Sequence, residues 1–160
     1  MQTNKKLSFS WVLVDELMVG SAPLINDHLM VLEKEGIKSV LTLCSTKEVE
    51  IPQDINKYFF NQSFILPDHT FKKYPQPDEI ISVLEILDNL IKKGPDYVNC
   101  FAGIERSPLI CMAWLIKKYK MAVNESLRYM MNIHKKTNPL PGQIDCLHKF
   151  SLLLSEQNLH

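Results

Sequence analysis

Apolar residues in this chain recur at two spacings, and the alternation between them divides it into elements. Residues 9–19, FSWVLVDELMV, are apolar and β-branched enough to be extended, and Gly20 ends the run. Asn26 or Asp27 is placed to cap a helix running to Glu35, with Gly36 as its stop. IKSVLTL, 37–43, reads as a short buried strand, and KYFFNQSFIL, 57–66, as another. From Pro77-Asp78 the period changes. Ile80, Ile81, Leu84, Leu87, Leu90 and Ile91 share one helical face, and Gly94 closes it.

Residues 96–99, DYVN, predict a very short strand that runs straight into CFAGIERSP. PLICMAWLIKKY is then apolar on every side up to its lysines, which marks a central buried helix from Ser107 to about Tyr119. Asn124 is placed to cap a helix carrying Leu127, Met130, Met131 and His134. NPLPG turns the chain into a last helix bearing Ile144, Leu147, Phe150 and Leu154. Strands alternating with helices predict an α/β fold with a central, mainly parallel sheet flanked by helices. No repeat or Gly/Ser linker divides the chain. A single domain over 1–160 is expected, with 1–8 as a flexible N-terminal tail.

Composition adds mainly exclusions. With 46% hydrophobic and 22% charged residues the chain has the make-up of a soluble globular protein, and 18 basic residues cancel 18 acidic ones. That balance gives no support for nucleic-acid binding or for a membrane-surface patch. No apolar run reaches the length of a membrane span or a signal peptide, so a cytoplasmic location is expected. Cys44, Cys100, Cys111 and Cys146 form no CxxC pair and no zinc-type spacing with histidine, so no metal and no cofactor is expected.

The chemistry concentrates in VNCFAGIERSP, 98–108. A loop between a strand and a helix N-terminus can turn successive backbone N–H groups inward as an anion-binding nest. The helix that follows adds its own unpaired N–H groups and the positive end of its dipole. Gly103 permits the curl, and Pro108 sits where a missing N–H costs nothing. Phosphate contacts are therefore expected from the amides of Phe101, Ala102, Gly103, Ile104, Glu105 and Arg106, and from the planar fork of Arg106. The same field favours a thiolate at Cys100, in line with a bound phosphorus. A departing oxygen needs a proton, and LPDHTFKKYPQPD, 66–78, offers Asp68 on a loop at the same edge of the sheet. Asp78 is the competitor, better suited to capping a helix. Ser107 could donate to the leaving sulfur or cap its helix.

CFAGIERS resembles the C-x5-R-S/T phosphate loop of the cysteine-dependent protein tyrosine phosphatase superfamily. The 32-residue separation of Asp68 from Cys100 is similar to that of the general acid in its small, atypical dual-specificity members. Leu66-Pro67-Asp68 is similar to the tryptophan-proline-aspartate loop of the tyrosine-specific branch. FSWVLVDELMVGSAPL and NPLPGQIDCLHKF extend the likeness over nearly the whole chain. The resemblance implies a phosphomonoester hydrolase working through phosphocysteine, with Asp68 as acid then base and Arg106 as clamp. Its expected partners are phosphorylated proteins, bearing phosphotyrosine or also phosphoserine and phosphothreonine, with phosphate, sulfate or vanadate as site anions.

Two positions depart from that pattern. Asn99 stands where relatives carry histidine, and supplies hydrogen bonds but no imidazole. Glu105 beside Arg106 would oppose a bound dianion if it faced inward, so an outward orientation is expected. The loop holds no lysine, which ranks phosphoinositides low. No counterpart of the loop that deepens tyrosine-specific pockets is found, so a shallower site is expected, with Phe101 or Phe71 beside the substrate ring. His69 is expected as a solvated loop residue, and His28, His134, His148 and His160 as core or surface residues. Cys44 is expected to pack rather than to form a disulfide with Cys100. The alternatives are a phosphoresidue-binding module without turnover, a sulfurtransferase and an arsenate reductase.

Overall fold

The computed structural model describes residues 5–158. The expected extended run at 9–19 is two strands, β1 (Phe9–Leu13) and β2 (Leu17–Ser21), joined by a turn with Asp15 at φ 60°. After α1 (Asn26–Lys34) come β3 (Ser39–Thr42), α2 (Ile55–Tyr58) and β4 (Phe60–Ser63). A single 3-10 turn, His69–Phe71, precedes α3 (Pro77–Ile91). β5 (Asp96–Cys100) leads through the phosphate loop into α4 (Arg106–Tyr119), followed by α5 (Val123–Ile133) and α6 (Pro141–Asn158).

The sheet order is β1-β2-β5-β3-β4, parallel throughout except for the β1–β2 hairpin. The mainly parallel α/β fold expected from the sequence is therefore the one observed. Side chains alternate across the sheet as a period of two demands. Leu17, Val19, Leu41 and Val98 join one core cluster, which is closed by residues of α3, α4, α5 and α6. Met18, Val40 and Tyr97 face the other, against Leu29 and Leu32 of α1 and Ile55 of α2. α4 is buried from Arg106 to Ile116, as its unbroken apolar surface predicts. Its first turn is thereby fixed at the carboxyl edge of the parallel strands, where ligand crevices of such sheets lie.

Several local expectations are adjusted. α1 opens at Asn26 without a side-chain cap, and Gly36, at φ 90°, follows its end. α5 is capped by Glu125 reaching back to the Ala122 N–H at 2.9 Å, rather than by Asn124. β4 is shorter than predicted, because residues 55–58 take a helical turn and Ile65 is exposed. Residues 1–4 of the expected tail, and His160, lie outside the described residues. Within the rest of that segment, Leu7 is buried and the Lys5 carbonyl accepts a 2.8 Å bond from His28 Nε2. No helix among the described residues is long and apolar enough to cross a membrane.

β5 begins with a fully buried carboxyl group. Asp96 accepts a short hydrogen bond from Ser39, while its second oxygen has no partner among the described residues. Burial pushes its carboxyl up to about 8, the Ser39 bond acting only partly against it. Between the usual carboxylate range and about pH 8 the folded chain thus holds a proton that the unfolded chain has released. Stability must fall as pH rises through that window and level off above it. Asp96→Asn, which cannot ionise, is expected to melt higher than the parent at pH 8 by at least about 1 kcal/mol, roughly 2–4 °C for a chain of this size. Melting curves from pH 5 to 8.5 check this, the variant showing the flatter pH dependence.

Candidate active site

The loop after β5 curls where Gly103 takes φ 70°. Its backbone packs so closely on β2 that a Cβ there would lie 2.6 Å from the Gly20 carbonyl carbon. Within this curl three carbonyls are turned outward and each is paired. Phe101 O accepts from Ala22 N, Gly103 O from His134 Nε2 at 2.7 Å, and Ile104 O from Asn138 N. The amides of residues 101–105 find no protein acceptor among the described residues, which is the polarity an anion nest requires.

His134 was expected to be only a core or surface histidine, on the helix itself. It lies one residue beyond α5, buried between Ser10 Oγ at 2.8 Å and the Gly103 carbonyl. Since a carbonyl only accepts, Nε2 carries the proton and Nδ1 accepts from Ser10. Burial lowers its proton affinity, outweighing the Gly103 bond that favours the charged ring.

Cys100 and Arg106 are both almost wholly buried, at the floor of a cavity of about 480 Å³ that also meets Glu48, Asp68, His69 and Glu105. Ser107 Oγ lies 3.2 Å from Cys100 Sγ and is buried in the first turn of α4. The structure therefore brings Cys100, Arg106, Ser107, Asp68 and the loop residues Phe101–Glu105 to one place. Phe101 forms part of the wall and is 54% exposed, while the Phe71 side chain lies outside the described ones.

Glu48, absent from the expected site residues, lines the same cavity and holds the guanidinium. Its two carboxylate oxygens accept from Arg106 at 2.6 and 3.1 Å, and the Leu66 carbonyl accepts a longer bond at 3.4 Å. The Ser45 N–H in turn donates to Glu48 at 2.9 Å. Burial acts against charge on Arg106, but the paired carboxylate outweighs it and raises its proton affinity. Burial likewise opposes charge on Glu48, and the hydrogen bonds from Arg106 and Ser45 outweigh it and hold its carboxyl below the usual range. A signal existed in CSTKEVE, an acidic run after a strand at the ligand edge, but nothing in it singled out position 48.

The two departures from the family pattern have defined places. Asn99 is buried in β5, and its amide donates across to Leu41 O at 3.3 Å and Thr42 Oγ1 at 3.1 Å, tying the strand before the nucleophile to β3. Glu105 does not point away from the site as expected. It crosses the rim, where His69 Nδ1–H donates to its Oε2 at 2.8 Å, and Gln143 Nε2 approaches at 3.5 Å. The same His69 nitrogen lies 3.2 Å from Asp68 Oδ1, and Thr70 Oγ1 donates to Asp68 Oδ2 at 2.8 Å. Although burial pushes the other way, the Thr70 bond and the charges of Arg106 and His69 hold the Asp68 carboxyl below its ordinary range. The donor atoms of Asp68, His69 and Glu105 lie within 4.8 Å of one another, the one grouping of this kind among the described residues that could receive a divalent cation.

The remaining thiols do not face this cavity. Cys44 is a buried free thiol packed with Ala22 and Val49, and burial pushes it up to about 11 despite the nearby Arg106 charge. Burial raises Cys111 strongly and takes Cys146 to about 11.

Residues 17–152 match the family described as dual specificity phosphatase, catalytic domain. The phosphatidylglycerophosphate phosphatase PTPMT2 of Arabidopsis thaliana is 26% identical over 147 residues, covering 91% of this chain and 64% of that protein. The dual specificity protein phosphatase PHS1 of the same plant is 26% identical over 136 residues, or 80% of this chain and 14% of PHS1. The chain thus spans less than two thirds of the length of either relative. The crystal structure of PTPMT1 in complex with PI(5)P superposes with a TM-score of 0.82 at 17% identity, covering 94% of this chain and 98% of that one, a likeness of fold. With most of its length inside the match, this chain belongs to the dual specificity phosphatase catalytic-domain family.

Proposed function

We propose that this chain hydrolyses phosphomonoesters through a phosphocysteine, and that its substrates are phosphorylated proteins. The observation that carries the reading is the meeting of Cys100, Arg106 and Asp68 in one cavity over a loop three of whose carbonyls are paired away from it. The phosphoryl group sits in the curl, with its equatorial oxygens on the loop amides and on Arg106. Cys100 Sγ attacks phosphorus, forming the S–P bond as the P–O ester bond breaks. Asp68 gives its proton to the departing oxygen. The resulting Asp68 carboxylate then takes a proton from a water molecule as the water oxygen bonds to phosphorus. The S–P pair returns to sulfur, which the Ser107 hydroxyl meets with a hydrogen bond.

Asp68 begins as a carboxylate in the free enzyme, since Arg106 and His69 favour its charged form. A bound phosphate dianion compensates Arg106 and repels the carboxylate, so substrate binding itself favours the acid. Carboxylates on the rim make the cavity unsuited to headgroups carrying several phosphates. The name of the Arabidopsis relative supports a second reading, a lipid phosphomonoester such as phosphatidylglycerophosphate. Side-by-side turnover of that lipid and of phosphotyrosine peptides decides between them.

Hydrolysis of p-nitrophenyl phosphate across pH 4 to 8, with EDTA present, tests the activity. Cys100→Ser is expected to abolish turnover. Asp68→Asn should lower kcat by roughly 10²- to 10³-fold. Because Asp68 loses its proton early as pH rises, the parent should work best on the acid side of neutrality, and the variant should lose the alkaline fall in rate. A parent that is silent when fully reduced, yet binds phosphotyrosine, would instead leave a binding module. Glu48→Gln removes the carboxylate that holds Arg106, and kcat/KM should fall by roughly ten- to hundredfold. Vanadate inhibition should weaken in parallel, and unchanged inhibition would show that Arg106 needs no such brace.

A further inference from the structure

We propose that the chain carries a second anion subsite beside the phosphate loop, built from Lys5, Lys6 and Lys136, for an acidic or phosphorylated residue flanking the phosphoresidue of a peptide substrate. This deepens the phosphatase reading and rests on it. A cavity of about 200 Å³ adjoins the one above Cys100 and shares Phe101, Ala102 and Ile104 with it as a common wall. The two sides of that wall differ in charge. Glu48, Asp68 and Glu105 line the first cavity, whereas the second is lined by three lysines and no carboxylate. None of these lysines forms an ion pair among the described residues.

Two buried histidines fix the backbone that presents the lysines. His28 donates through Nε2 to the Lys5 carbonyl at 2.8 Å and accepts at Nδ1 from Leu24 N at 3.0 Å. Leu7 is buried in the core, and Ser8 N donates to Ser21 Oγ at 3.1 Å, so Lys6 lies between the held Lys5 carbonyl and these anchors. Lys136 follows His134 by two residues, and His134 is bonded to the phosphate-loop carbonyl of Gly103. The lysines are thus registered to the same loop that receives the scissile phosphate, although they come from opposite ends of the chain.

A substrate with one phosphate over Cys100 and a second negative group beyond Phe101 would follow this charge gradient. A peptide fits better than a bilayer. Among the lining residues only Phe101 is a large exposed apolar side chain, too little surface to enter a membrane. No lysine lies between Cys100 and Arg106, so the phosphate loop alone gives no sign of a second anion near the site.

The test compares phosphotyrosine peptides flanked by alanine with peptides bearing glutamate or phosphoserine one to three residues to either side. The parent should show kcat/KM about tenfold higher for the best acidic peptide, an advantage that shrinks with salt. In the triple variant Lys5→Ala/Lys6→Ala/Lys136→Ala the ratio of acidic to neutral peptide should fall close to one. A parent ratio near one, or a ratio that survives the triple variant, overturns the subsite. A lysine-dependent preference that is greater for dispersed phosphatidylglycerophosphate than for any peptide overturns the peptide as occupant. Affinities of the same peptides for Cys100→Ser give the ratio without turnover. Failure of the subsite therefore stays separate from failure of the phosphatase reading, which p-nitrophenyl phosphate tests alone.

Discussion

The site depends on backbone touching backbone where Gly103 meets Gly20. No Cβ fits at either position: one on Gly20 would lie 2.1 Å from the Ser8 carbonyl oxygen and 2.4 Å from the Tyr97 hydroxyl. This contact lets the loop turn back on the end of β2 and send three of its carbonyls outward, which leaves its amides free for the cavity. Tyr97 reinforces the arrangement by donating to Ser21 O at 2.5 Å, just beyond Gly20. A catalytic loop needs backbone dipoles held in place before the ligand arrives, and close packing of two glycines on a parallel sheet supplies that rigidity with few side chains.

Around this contact the charges are paired with one another. Arg106 is held by Glu48, and the cavity they share carries Asp68, His69 and Glu105 with His69 in hydrogen-bonding reach of both carboxylates. Glu105, an oddity in the sequence, belongs to this rim and links the phosphate loop to the loop of Asp68 and to Gln143 of α6. It is screened from the anion position by pairing with His69 rather than by pointing into water. The phosphate loop is therefore tied to β1, β2, α6 and the acid loop, by bonds that no single stretch of sequence displays.

What the sequence made legible was the part encoded in short range. The strand, the glycine, the arginine at fixed spacing and the apolar helix after it all lie within one run of residues, and their order requires the chemistry they suggest. Asp68 was readable because a loop following a strand has few places to go at the ligand edge of a parallel sheet. Glu48 and His134 were not, because each acts through a partner 58 or 31 residues away. The hairpin at 9–21 was hidden because only Asp15 and Glu16 break an otherwise β-type run at its turn, with no glycine or proline to mark the reversal. Helix caps failed for a related reason: Glu125 reaching back was a better partner for its helix than the nearby asparagine.

The burial that raises Cys44, Cys111 and Cys146 also divides the thiols by reactivity. At neutral pH those three stay protonated inside packed apolar surroundings and are poor nucleophiles. Cys100 opens on the site cavity. An electrophile shaped to enter beside Arg106 would therefore find one address in this chain, which makes the cavity floor a natural anchor for a covalent reporter or inhibitor.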